Sequence, residues 1–204
     1  MSRAGLALFV AATSSSTLLA GSARAADELT VEEPSQSELG GRLGARLALA
    51  ETMPGGVSVG AIFLYRMTAR SWSETGLDLS FGGGEPGCFY TRASELTLAC
   101  DHGVTDGFGV IASTGGRLYL GARPGFQSYA RAGAGLAITH FAGDELTGFG
   151  LPLHVGAGGR FDVAPRVRVV AEALIQAALS WQGRGLGVEP LLGLTVQVGV
   201  DFAL

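Results

Sequence analysis

The side chains with chemistry to offer in this 204-residue chain are two cysteines, three histidines and a scatter of arginines and carboxylates. Cys88 and Cys100 both fall in the segment 83–106. An isolated pair in an oxidising compartment favours a disulfide. It would close a 13-residue loop and stabilise by about 3 kcal/mol on the chain-entropy argument. A thiol metal site would have only Asp101 and His102 close in sequence, and no metal is expected. The histidines are His102 in a loop, His140 near a strand end and His154 on an inward row. An acyl hydrolase needs a serine held by a histidine and an orienting acid. H-x-S does not occur, and the one G-x-S-x-G, Gly56 to Gly60, falls inside the predicted strand 56–66 rather than at a strand-to-helix elbow, so the chain is read as not an enzyme. The runs Gly82-Gly83-Gly84 and Gly156 to Gly159 are followed by no G-K-[ST]. They are therefore not phosphate loops, and no cofactor is expected.

The remaining chemistry is ionic. Arg42, Arg46, Arg66, Arg117, Arg123, Arg131, Arg160 and Arg168 share one face of the predicted strands with Glu38, Glu74, Asp78, Glu172 and Asp201. Every one of the 14 basic residues is Arg, and the net charge is −4. That leaves no basic surplus to hold phosphates, so nucleic acid is not an expected partner. Only 16% of residues are charged, which excludes a disordered chain.

Strands must position these groups, because the pattern has period two. In 38–50, Leu39, Gly41, Leu43, Ala45, Leu47 and Leu49 oppose Glu38, Gly40, Arg42, Gly44, Arg46 and Ala48. A helix would scatter the leucines around its cylinder, whereas a strand sorts the two sets. The same alternation recurs in 56–66, 72–82, 128–141, 150–161, 166–180 and 190–202, with Ile62 and Leu64 as exceptions. The stretch 107–123 is the least regular, and Gly115-Gly116 is a place for a kink or a split. One strand there gives eight in all. A split, with a further strand at 94–100, gives ten. Eight is favoured. Connections alternate between long Gly-rich or acidic loops and short turns.

The faces decide the solvent. A soluble barrel would show its polar rows to water, but here those rows are mostly Gly with scattered Arg, Ser and Thr and no Lys. Gly in a strand interior is entropically costly, so small residues must be needed there. The narrow lumen of an eight-stranded barrel creates that need. The apolar rows carry no charge in their central parts, which suits hydrocarbon, where Arg at mid-depth costs roughly 2–4 kcal/mol. Strands of about 11–13 residues, at ~3.3 Å rise and ~45° tilt, span roughly 26–30 Å, against an apolar band of ~25 Å. A sheet in lipid must also join its first and last strands, or leave edge N–H and C=O groups unpaired. Strand 38–50 should therefore pair with 190–202. Inside, the charged rows should pair and plug the lumen. An anion-selective pore is the functional alternative.

The segments SYARAGAGLAITHF, LPLHVGAGGRFDVAPRVRVVAEALIQAAL and LLGLTVQVGVDFAL carry a likeness to a known class. Across about 38–204 the chain resembles the small, roughly eight-stranded outer-membrane β-barrels of Gram-negative bacteria. The resemblance implies an all-β, closed, antiparallel, up-and-down transmembrane barrel. It also implies handling by the barrel assembly machinery and residence among outer-membrane lipids, as a monomer. Such chains usually end in an aromatic residue; here Phe202 is followed by Ala203-Leu204.

The N-terminus fits that destination. Arg3 is followed by an apolar run from Ala4 to Ala12, and Ala23-Arg24-Ala25 sets small residues at a cleavage site. Residues 1–25 are read as a signal peptide, 26–37 as a flexible acidic periplasmic lead-in and 38–204 as the barrel. The expected role is structural or surface-interacting, through the extracellular loops. A narrow solute channel is the alternative, and a soluble periplasmic barrel holding a hydrophobic ligand is a second one. Trp72, Trp181, Tyr65, Phe81, Phe141 and Phe149 lie towards strand ends, as interfacial girdle aromatics do.

Overall fold

Alternation of side chains becomes alternation of environments in the computed structural model, which describes residues 36–50, 53–82, 88–90, 98–100, 107–123, 125–142, 146–183 and 187–204. The expected signal peptide, nearly all of the lead-in and most of segment 83–106 lie outside these residues. The strands are β1 (Ser37–Ala48), β2 (Gly56–Arg66), β3 (Ser71–Phe81), β4 (Cys88–Tyr90), β5 (Leu98–Cys100), β6 (Gly107–Arg123), β7 (Phe126–Phe141), β8 (Leu146–Gly150), β9 (Leu153–Ala164), β10 (Val167–Gln182) and β11 (Gly187–Ala203).

Every long strand pairs antiparallel with its neighbour in sequence, and the ring closes. β1 runs beside β11 from Glu38↔Ala203 to Ala48↔Gly193 and beside β2 on its other side. β8 and β9 together form a single stave between β7 and β10. The barrel is therefore eight-stranded. β4 and β5 form a separate two-stranded sheet between β3 and β6, not a ninth and tenth stave.

Two irregularities differ from the pattern expected. The stave around 150–161 begins earlier, at Leu146, and breaks at 151–152. Pro152 has no N–H for a ladder, though its carbonyl still accepts from Gly135 N at 2.8 Å. Gly115-Gly116 neither kinks nor splits β6; its register slips instead between Tyr119 and Gly121.

The short turns share one end with both ends of the barrel chain. In the β2–β3 turn, Thr68 Oγ1 accepts the amides of Arg70 and Ser71 at 3.2 and 3.0 Å. After β6, Gly125 takes φ of 75°, a left-handed turn conformation that suits glycine.

The apolar rows face out. Leu43, Leu120, Leu136, Leu153, Ile175, Leu179, Val196 and Val198 are half or more exposed, while Arg42, Arg117, Glu172 and Asp201 are at most 3–4% exposed. A soluble barrel around a hydrophobic ligand needs the reverse arrangement, and the placement overturns that alternative. Inward-facing apolar residues form two small clusters. Ile62, Leu64, Trp72, Tyr119, Tyr129 and Val170 make up one; Met53, Ile111, Ala137 and Leu191 make up the other. Trp72 and Phe141 are buried, so they are not girdle residues, whereas Trp181, Tyr65, Phe81 and Phe149 are exposed on the outside.

Candidate functional site: the ionic lumen

Alternate positions of seven strands bring the charged groups together in layers. The central layer is built on Glu172 of β10. Its Oε1 accepts Arg42 Nε at 3.0 Å, Arg131 Nη1 at 3.0 Å and Gln197 Nε2 at 2.7 Å. Its Oε2 accepts the Tyr129 hydroxyl at 2.7 Å. Glu74 of β3 accepts Arg131 Nη2 at 2.6 Å and Arg117 Nε at 3.4 Å. Asp201 of β11 accepts Arg42 Nη1 at 2.6 Å. Arg117 reaches towards Glu172 and Asp201 at 3.7 and 3.8 Å, and its guanidinium lies 4.2 Å from the Tyr129 ring centroid. Arg42, Arg117 and Arg131 thus meet Glu74, Glu172 and Asp201, and the formal charges of the layer cancel.

Two further layers flank it. Towards the long loops, Arg46 pairs with Asp78 and donates to Ser80 Oγ at 2.8 Å and Thr195 Oγ1 at 3.1 Å. Towards the short turns, Glu38 takes Arg160 at 3.0 Å and Arg168 at 2.7 Å. Arg168 also reaches Asp162 at 3.2 Å, and Arg160 stacks 4.4 Å from the Tyr119 centroid. Trp72, Tyr119 and Tyr129 meet edge to face at 6.3 and 5.7 Å, forming an aromatic layer beside the central ions.

One charged residue assigned to this network stands apart from it. Arg66 donates Nε to the Thr68 carbonyl at 3.3 Å, at the turn. Its alternation is right, but its position at the end of β2 puts it at the rim. Glu38 pairs inside the lumen, as its place on the polar face implied; Tyr129, Ser80, Thr195 and Gln197 were not among the residues expected to join the network. Glu38 has the parity of Arg42, so the signal was present. The histidines are not gathered. His154 sits 3.5 Å from Glu74, His140 contacts Thr147 Oγ1 at 3.0 Å, and His102 lies outside the described residues. The backbone register sets Cys88 directly across from Cys100.

Glycine makes the crowded layer possible. A Cβ on Gly158 would fall 2.6 Å from the Tyr129 hydroxyl oxygen. Gly158→Ala is expected to push that hydroxyl off Glu172 and cost about 1–3 kcal/mol, as overpacking does. Gly41→Ala has nothing within 4 Å of its added Cβ and serves as the control. Urea unfolding in lipid would separate the two; equal midpoints would mean that the layer has slack. Beside the central layer there remains a cavity of about 30 Å³, room for about one water.

A closed ring of strands, an apolar outside and an ion-packed inside define the fold of a small transmembrane β-barrel. It is similar to the crystal structure of neisserial surface protein A (NspA), with a TM-score of 0.60 and 14% identity over 85% of this chain and all of that one. It is also similar to Ail, the attachment invasion locus protein of Yersinia pestis, at 13% identity over 83% of this chain and 98% of that one, with a TM-score of 0.49. The N-terminal β-barrel domain of Pseudomonas aeruginosa OprF matches at 14% identity over 83% and 98%, with a TM-score of 0.47. No family model matches the chain, and no curated protein matches it.

Proposed function

We propose that this chain is a monomeric integral outer-membrane barrel whose lumen is a permanent ionic plug. Its role is structural or surface-interacting, carried by the long loops. The observation that supports this most is the charge-balanced central layer, in which each carboxylate is held by two or more groups from other strands. A conducting path would have to displace buried ion pairs from one another, which is costly in a low-dielectric interior. On this reading, residues 1–25 direct export and 26–37 lie on the periplasmic side. The barrel assembly machinery then inserts 38–204, and Cys88 and Cys100 form a disulfide in the long loop between β3 and β6. The reading involves no catalytic step.

The test uses the detergent-folded protein. Unboiled protein is expected to migrate differently from boiled protein on a gel, and planar bilayers containing it are expected to show no conductance steps. Steps of uniform size would favour the narrow-channel reading instead.

A further inference from the structure

The lumen is full in the middle and open at one end. The mouth on the short-turn side holds a vestibule of about 390 Å³, against about 30 Å³ beside the central ions. We infer that this vestibule binds the phosphate group of a small anionic ligand entering from the side opposite the long loops.

Its walls carry four guanidiniums, Arg66, Arg70, Arg160 and Arg168, and a single carboxylate, Glu38. Glu38 is already occupied by Arg160 and Arg168. Even if Asp162 is counted against Arg168, two positive charges remain uncompensated. Arg66 gives Nε to one backbone carbonyl. The Arg70 guanidinium, exposed on the β2–β3 turn, has no partner among the described residues. A phosphate supplies the missing charge, and guanidinium forks fit its oxygens in a bidentate way.

The volume is too large for a bare ion and suits a small headgroup or phosphate ester. Trp72 and Tyr119 form an aromatic part of the wall. Behind them lie Tyr129 and the central ions, so the vestibule is blind. The chain's charge is polarised in the same sense. By sequence, the loops at the other end (49–55, 83–106, 143–145 and 184–186) carry seven acidic residues and two arginines. An anion therefore meets little attraction at the long-loop end, and the attraction at the other end comes from the vestibule's own guanidiniums rather than from the segment 26–37, which is itself acidic.

Two sources offer this chemistry, a phospholipid headgroup of the adjacent leaflet and a water-soluble phosphate ester. The chain has two tryptophans, so Trp181→Phe leaves Trp72 as the sole indole, in the vestibule wall. The folded protein would be placed in phosphatidylcholine nanodiscs and titrated with glycerol 3-phosphate at low salt. A parallel set of discs would contain phosphatidylglycerol. A saturable change in Trp72 emission with glycerol 3-phosphate identifies a soluble ligand. A change seen only with phosphatidylglycerol identifies a headgroup. Either response should weaken roughly tenfold or more in Arg66→Ala/Arg70→Ala, as the loss of a charge-assisted hydrogen bond implies. Arg70→Glu alone, on the exposed turn, replaces the double variant if that one fails the gel-mobility check of folding. No saturable response in either disc, or a response that these variants leave unchanged, overturns the assignment.

Discussion

Glu172→Ala is expected to lower the unfolding free energy by about 3–5 kcal/mol, the cost of leaving buried partners without their counter-ion. Glu172 is 4% exposed and is held by Arg42, Arg131, Gln197 and Tyr129. Its removal leaves Arg131 with Glu74 and Arg42 with Asp201, so three cations share two carboxylates. Glu172→Gln keeps the size and removes the charge, so most of the loss should persist. Equilibrium unfolding by urea in lipid vesicles measures both. A loss below about 1 kcal/mol, the size of a surface pair, would mean that water reaches the layer and the plug is not dry. In that case Glu172→Ala should also produce conductance.

Val196→Arg is expected to cost about 2–4 kcal/mol in a bilayer. Val196 is at mid-strand in β11, opposite Ala45 and Ala173, and is 55% exposed. Its neighbour Thr195 is 2% exposed and faces Arg46. One step along the strand therefore crosses from hydrocarbon to the polar interior. The same substitution in an exterior facing water would be nearly silent, since surface changes stay within about 0.5 kcal/mol. Stability of Val196→Arg equal to the parent in vesicles would remove the apolar face from the membrane. Ser128→Arg, at the short-turn end of β7, should cost much less, because the penalty falls to about 0–1 kcal/mol near the interface.

The eight staves and the direction of their faces were legible because two solvents act on alternate residues. In β11 the run from Leu192 to Phe202 alternates without a break, and its apolar members all point outward. The closure of β1 on β11 followed from the same reasoning, since an open edge in lipid leaves backbone groups unpaired. What periodicity does not encode is which charge meets which. Arg42 and Glu172 are 130 positions apart, and their meeting depends on the stagger of the whole ring. Proximity to strand ends misplaced Trp72 and Phe141, although parity contained the answer. Trp72 alternates in phase with Glu74 and Asp78, and Phe141 with Thr139 and Arg131. Ile62 and Leu64 broke the binary pattern because part of the lumen is oily. The break at Pro152 was signalled by the residue itself, through its missing donor.

The Arg42–Asp201 pair links positions separated by 159 residues, across the junction where the ring shuts. The cation and its carboxylate lie on the first and last staves of the ring and meet only when these two pair. Until β11 arrives, Arg42 must stay hydrated, and so must the half-built interior around it. The barrel therefore cannot enter hydrocarbon stave by stave in its final form. Neutralising the middle and sealing the wall both wait on the same pairing, that of β1 with β11.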